Sequence, residues 1–183
     1  YLELLDGDPV TRSALQGHTG HRGDVLFDGV TFGYDAAHPV LCDFTMEVPA
    51  GGKVALVGSS GSGKTTVARL LAGLYKPCGG RIQVDGSDVP LIEDQGQTAT
   101  VGLLTQDVYC FCGSIRSNIA YGSDSASDDD IRQAARLAGL ADYIEALPLG
   151  YETPLGQHGA GLSGGQRQRL SLARLILQNP DIV

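Results

Sequence analysis

The sequence predicts an α/β fold: a core built on a mainly parallel sheet, an N-terminal group of antiparallel strands, and a helical subdomain. Three observations predict it. Residues 43–48 alternate apolar with polar side chains. Val54-Ala55-Leu56-Val57 is an unbroken apolar run that passes straight into a glycine-rich loop and an apolar-striped helix. After residue 127 the pattern turns to short helices.

Composition bounds the reading. A chain of 183 residues, 42% hydrophobic and 19% charged, can bury one sizeable core, so one domain with a subdomain is expected. Its 26 glycines are about twice the usual share of roughly 7%, which calls for tight turns or close backbone approach at many sites. The net charge of -8 argues against a nucleic-acid partner, because that affinity rests on a basic footprint that releases counterions. No apolar run reaches the roughly 18 residues of a membrane span, and the N-terminus lacks the charged-then-apolar layout of a signal peptide. The expectation is a soluble unit whose membrane part lies elsewhere. Cys42, Cys78, Cys110 and Cys112 lack the paired spacing of a zinc site and read as small buried or turn thiols. His18, His21, His38 and His158 are scattered without ligand spacing and read as surface or loop residues.

The elements follow in order. Residues 1–22 are polar and irregular and read as a linker. Strands begin at Val25 and include Val30 to Tyr34. In the next, Asp43 to Val48, Phe44, Met46 and Val48 face one way and Asp43, Thr45 and Glu47 the other. The run Val54 to Val57 fits a strand buried on both faces of a parallel sheet. Val67, Leu70, Leu71 and Leu74 recur at helical spacing until Pro77-Cys78-Gly79-Gly80 stops them. Arg81 to Val84 alternates and ends in Asp85-Gly86, a hairpin turn. Val101 to Leu104 reads as another buried strand, with Gln106 just past its carboxyl end, where open α/β sheets bind ligands. Ser127 and Asp130 form a capping-box-like start for a helix with Ile131, Ala134, Ala135 and Ala138 on one face and Gly139 at its close. The acids Asp128 to Asp130 read as helix N-terminal charge rather than a metal site. Leu140 to Leu147 reads as a second short helix ended by Pro148.

Gly58-Ser59-Ser60-Gly61-Ser62-Gly63-Lys64-Thr65 satisfies the G-x-x-x-x-G-K-[ST] pattern of a P-loop, in the strand-to-helix context that pattern needs. Its glycines let consecutive N–H groups point inward around phosphates, and the helix N-terminus adds partial positive charge. Lys64 would reach the β- and γ-phosphates, and the Thr65 hydroxyl would ligate Mg²⁺. A second glycine-rich helix start, Leu162-Ser163-Gly164-Gly165-Gln166, opens the run through Arg167-Gln168-Arg169-Leu170 to Asn179-Pro180 and suggests a second anion site.

The pair GSSGSGKTT and LSGGQRQRL, about 100 residues apart, resembles the ABC ATPase family in both motif content and order. The likeness runs from about Gly23 to Val183 and implies a P-loop NTPase core that binds ATP with Mg²⁺. It implies that Gly58 to Lys64, with Thr65 and Thr66, holds the phosphates and that Tyr34 stacks on adenine. Gln106 becomes a Q-loop residue near Mg²⁺ and the attacking water. Ser163, Gly164, Gly165 and Gln166 become a signature motif, with Ser163 and Gly165 reaching the γ-phosphate of ATP held by a second nucleotide-binding domain. The implied organisation is a linker from a membrane domain over residues 1–22, an ATP-binding core over 23–107, a helical subdomain over 108–162, and a signature helix over 163–183 that returns to the core and starts the Walker B strand.

Residues 106–122 are similar to the exporter branch, and PVLCDFTMEVPAGGKVALVG resembles peptide- and bacteriocin-exporting members. The resemblance therefore implies ATP-driven export by a parent protein, at the cytoplasmic face of a membrane, with transmembrane domains as further partners. Three departures stand out. Gln157-His158 replaces the usual Glu-Arg pair, Cys110 and Cys112 replace an apolar and a small residue, and Asp181-Ile182-Val183 only begins the strand expected to carry the Walker B acids. A chain without those acids and the later switch histidine is expected to bind ATP without hydrolysing it alone. A non-transport ABC ATPase or a binding-only fragment is the alternative.

Overall fold

A computed structural model describes residues 3–6, 23–35, 37–91, 101–105, 108–123, 125–156 and 159–183. They divide into two compact units, one reaching Leu103 and including Ile182, the other running from Leu104 to Asp181 with Val183.

In the first unit, strand β1 (Glu3–Asp6) precedes β2 (Val25–Phe32), β3 (Leu41–Val48) and β4 (Val54–Val57). Helix α1 (Lys64–Leu71) is followed by β5 (Gly79–Val84) and β6 (Ser87–Asp88). An antiparallel sheet runs in the order β3-β2-β5-β6. The alternation read in β3 holds: Met46 is buried and Phe44 and Val48 half-buried, while Asp43, Thr45 and Glu47 are exposed. Phe27 and Val30 are fully buried beneath Val67 and Leu70 of α1, each side chain contributing about 1.5–3 kcal/mol of burial. Asp85 (φ 52°) and Gly86 (φ 74°) make the two-residue turn between Val84 and Ser87, where both positions need the left-handed region.

Four expectations change here. Helix α1 ends at Leu71 instead of running through Leu74, because Gly73 adopts φ 70° and closes a Schellman motif. In it the Gly73 N–H donates to Leu70 O and the Leu74 N–H to Arg69 O, both at 3.0 Å, and Leu74 is left exposed. Strand β4 is buried on one face only: Val54 and Leu56 lie against the core while Ala55 and Val57 are exposed. Its partner among the described residues is β1, paired antiparallel in a two-stranded sheet, so part of the stretch read as linker is a strand. Val101 to Leu104 forms no continuous strand. Val101 makes one parallel bridge to Ile182, with the Gly102 N–H donating to Ile182 O at 2.8 Å, and that bridge is the parallel pairing among the described residues.

The second unit begins with β7 (Gly113–Ser114), α2 (Ile115–Ile119), α3 (Asp128–Leu137) and α4 (Ala141–Glu145). A 3₁₀ turn (Gly150–Glu152) leads to β8 (Pro154–Leu155), paired antiparallel with β7, and then to α5 (Gly164–Gln178). The Ser127 hydroxyl accepts from the Asp130 N–H and the Asp130 carboxylate accepts from the Ser127 N–H, completing the capping box. Asp128 pairs with Arg116, so two members of the acidic cluster serve helix-end and ion-pair roles. Helix α4 is shorter than the 140–147 span read from sequence. Ala134 and Ala135 of α3 and Ala173 of α5 are buried together, and their small side chains let the two helices approach closely. Helix α5 packs within this second unit, and Ile182, four residues after it, lies in the first.

Cys110 is buried in that core, filling the apolar position, and burial pushes its thiol pKa up against the pull of Arg174 and Arg167. Cys42, Cys78 and Cys112 are exposed and all four thiols are free. Asn118, fully buried, accepts from the Phe111 N–H at 2.8 Å and donates to Phe111 O and Ser114 O. Arg174 donates from Nε to Asn118 O at 2.9 Å and from Nη1 to Tyr109 O at 3.3 Å. Its guanidinium lies 5.2 Å from the Phe111 ring centre and 5.6 Å from that of Tyr121. Among the described residues no helix is long and apolar enough to cross a membrane.

Candidate nucleotide-binding site

The glycine-rich loop joins the end of β4 to the start of α1. Gly61 (φ 85°) and Gly63 (φ 96°) both occupy the left-handed region, and a Cβ at Gly63 would stand 2.8 Å from Leu41 Cδ2. The left-handed φ at 63 therefore calls for glycine, and a side chain there would also have to displace the end of Leu41. Gly63 is also the N-cap of α1, which has no side-chain cap and no acidic residue in its first turn. The first N–H groups of α1 lack intrahelical partners and carry the positive end of the helix dipole. Thr65 is exposed beside them, whereas Thr66 is buried.

The Lys64 ammonium donates to Gly58 O at 2.8 Å, Ser59 O at 2.7 Å and Ser62 Oγ at 3.2 Å. It is held over the loop by exposed acceptors that an anion can replace. Uncapped N–H groups, a loop with left-handed glycines at 61 and 63 and a tethered ammonium fit a polyphosphate.

Tyr34 is 50% exposed, which leaves ring surface open. The rings of Phe32 and Tyr75 pack against it at 5.2 and 5.3 Å between centres, both nearly perpendicular to it. Its hydroxyl shares a hydrogen bond with Thr66 Oγ1 at 3.1 Å and accepts from Arg69 Nη1 at 3.2 Å. Partial burial pushes the phenol pKa up, but the hydrogen bonds from Thr66 and Arg69 and the Arg69 charge together hold it below the ordinary tyrosine value. The structure thus brings Tyr34 and Thr66 together. Arg69 and Tyr75 were not singled out in the sequence; the available signal was a lone cation in the last turn of the helix that follows the P-loop.

In the second unit Ser163 caps α5. Its Oγ accepts from the Gln166 N–H at 3.3 Å, and Gln166 Oε1 accepts from the Ser163 N–H at 2.7 Å. That arrangement leaves the Ser163 hydroxyl proton free to donate outward. Ser163, Gly164 and Gly165 are exposed, and Arg167 Nη1 ties the helix start to Leu162 O at 2.8 Å. Gln106, Gln157, His158, His18 and His21 lie outside the described residues; His38 is an exposed loop residue bonded to Asp35.

A family model described as ABC transporter matches residues 41–183. Over 163 residues the chain is 45% identical to an ATM1-type heavy metal exporter of Novosphingobium aromaticivorans, a match covering 89% of this chain and 27% of that protein. Over 166 residues it is 46% identical to the ATP-dependent lipid A-core flippase of Chromobacterium violaceum, covering 88% and 28%. Over 176 residues it is 42% identical to the mitochondrial iron-sulfur clusters transporter ABCB7 of Homo sapiens, covering 96% and 23%. The solved structure of a bacterial Atm1-family ABC exporter with ATP bound superposes with a TM-score of 0.81 at 44% identity, over 87% of this chain and 28% of that one. The chain spans about a quarter of the length of these curated relatives.

Proposed function

The chain belongs to the ABC transporter family, and from that premise we propose that it is the ATP-binding domain of an exporter, coupling ATP binding and hydrolysis in the whole protein to movement of a substrate across a membrane. The observation that carries the proposal is the uncapped N-terminus of α1 with the Lys64 ammonium tethered above it. The exporter branch is what the named relatives favour, without the narrower peptide-exporting likeness.

The loop N–H groups of residues 58–66 would hold the triphosphate of ATP, and Lys64 would exchange its carbonyl acceptors for the terminal phosphates. Thr65, with Gln106, would hold Mg²⁺. The ion neutralises charge on the β- and γ-phosphates when bound. Tyr34 would offer its exposed face to adenine. Ser163 and Gly165 would meet the γ-phosphate of ATP on a second nucleotide-binding domain, with the Ser163 hydroxyl donating while its lone pair keeps the α5 cap. The partners are that second domain and the transmembrane domains of the parent, at the cytoplasmic face of the membrane.

Equilibrium titration with a fluorescent ATP analogue in Mg²⁺ tests the reading. Lys64→Ala is expected to weaken binding by about 100-fold or more, the order of a charge-assisted contact of about 3 kcal/mol. Unchanged affinity would sink the phosphate-loop assignment.

A further inference from the structure

Helix α1 carries two groups of contacts on one rigid body. At its N-terminus are the uncapped N–H groups and Lys64. Thr66 in the first turn and Arg69 in the last are both bonded to the hydroxyl of Tyr34, at 3.1 and 3.2 Å. The Tyr34 ring otherwise packs nearly perpendicular to the rings of Phe32 and Tyr75, apolar contacts that carry no directional bond to the helix. The phenol oxygen is the one atom through which α1 grips the ring directly by hydrogen bonds. Thr66 is buried and fixed; Arg69 is exposed and reaches the oxygen from the last turn.

We propose that Arg69 is a positioning residue for the purine: by donating to the Tyr34 hydroxyl it fixes the ring relative to α1, so one helix sets the distance between the stacking platform and the phosphate loop. The inference rests on the reading of Tyr34 as the adenine platform. It explains why a hydroxyl matters on a residue whose task is stacking, which phenylalanine would otherwise perform as well. Preorganisation of this kind raises affinity by removing the cost of ordering the ring on binding.

The test compares affinities of this chain for ATP and for inorganic tripolyphosphate, both with Mg²⁺, with thermal melts to confirm that each variant is folded. Arg69→Ala is expected to weaken ATP about three- to tenfold, the fold-change of one lost hydrogen bond, and to leave tripolyphosphate unchanged. Arg69→Lys, which keeps a donor and the charge, recovers part of the loss. Tyr34→Phe loses a similar factor, and adding Arg69→Ala to Tyr34→Phe costs nothing further, because both act through one oxygen.

Unchanged ATP affinity in Arg69→Ala overturns the proposal. So does an equal loss for ATP and tripolyphosphate, which would put Arg69 on the phosphates, or an undiminished loss in the Tyr34→Phe background. Failure of the platform reading itself shows separately: Tyr34→Ala would then weaken ATP and tripolyphosphate equally, or neither. A readout without nucleotide is the phenolate absorbance assigned to Tyr34 by difference from Tyr34→Phe. It is expected to titrate below ordinary tyrosine and to move up in Arg69→Ala; no movement counts against the contact.

Discussion

Lys64 and Arg174 are both cations that donate to main-chain carbonyls, and the contrast between them separates a binding site from a structural joint. The Lys64 ammonium rests on the carbonyls of Gly58 and Ser59, in the exposed loop between β4 and α1. Replacing those acceptors with phosphate oxygens removes nothing from the core. Arg174 is half-buried, bonded to the carbonyl oxygens of Asn118 and Tyr109, and packed against the rings of Phe111 and Tyr121. Burial lowers its pKa, yet an arginine stays charged at any ordinary pH. It can leave only by taking the donor from the buried Asn118. The same chemical contact is therefore exchangeable in one unit and permanent in the other.

Arg174→Ala is the substitution that should separate the two most sharply. It takes the Nε donor from the carbonyl of buried Asn118 and removes the cation from the aromatic pair, so a loss of about 3 kcal/mol in unfolding free energy is expected. Lys64→Ala, at the first position of α1 with its two carbonyl acceptors in an exposed loop, should change stability by no more than about 0.5 kcal/mol. Urea denaturation of both variants checks this, and equal losses would erase the distinction. Arg174→Lys should restore little, since an ammonium cannot stack or make the forked contact.

Gly63→Ala is the intermediate case, because it strains the site's backbone without touching a charge. With φ at 96° and Leu41 Cδ2 at 2.8 Å from the new Cβ, a cost of about 1–3 kcal/mol is expected. Unlike Arg174→Ala, it should weaken ATP binding as well as stability. Retained affinity in a destabilised protein would mean that the loop geometry is not the cradle.

The smallest effect lies at an element that only caps a helix. Asp130 is held below the ordinary carboxylate range by its hydrogen bonds to the Ser127 hydroxyl and N–H. A depressed folded-state pKa contributes stability that is complete above the unfolded value and is lost as pH falls through the folded one. Denaturation from about pH 7 down to about pH 3 should therefore show an acid-side decline that is shallower in Ser127→Ala. An identical acid limb in that variant would remove the box from the account.

What was legible in the sequence was local. The P-loop, the Asp85-Gly86 turn and the Ser127 and Ser163 helix starts each depend on residues within a few positions, and the chain writes them contiguously. The end of α1 misled because Gly73 sits inside an apolar period that continues to Leu74. The burial of β4 and the state of Val101 to Leu104 depend on which neighbours cover a strand, which an apolar run does not state. Tyr34 with Arg69, 35 positions apart, and Asn118 with Arg174, 56 apart, are tertiary contacts between types common on any surface. No spacing rule marks them.

If the loop ahead of α1 binds ATP through Lys64, the nucleotide must stabilise the folded chain and must need that side chain to do so. The direct measurement is denaturant unfolding of this chain and of Lys64→Ala, each with and without Mg-ATP at about 100 times the dissociation constant of the unsubstituted chain. A ligand bound only by the folded state should raise the unfolding free energy of the unsubstituted chain by about 2.7 kcal/mol. The Lys64→Ala chain, folded to nearly the same stability, should gain almost none of it. No stabilisation in the unsubstituted chain, or the same gain in both, would contradict the account.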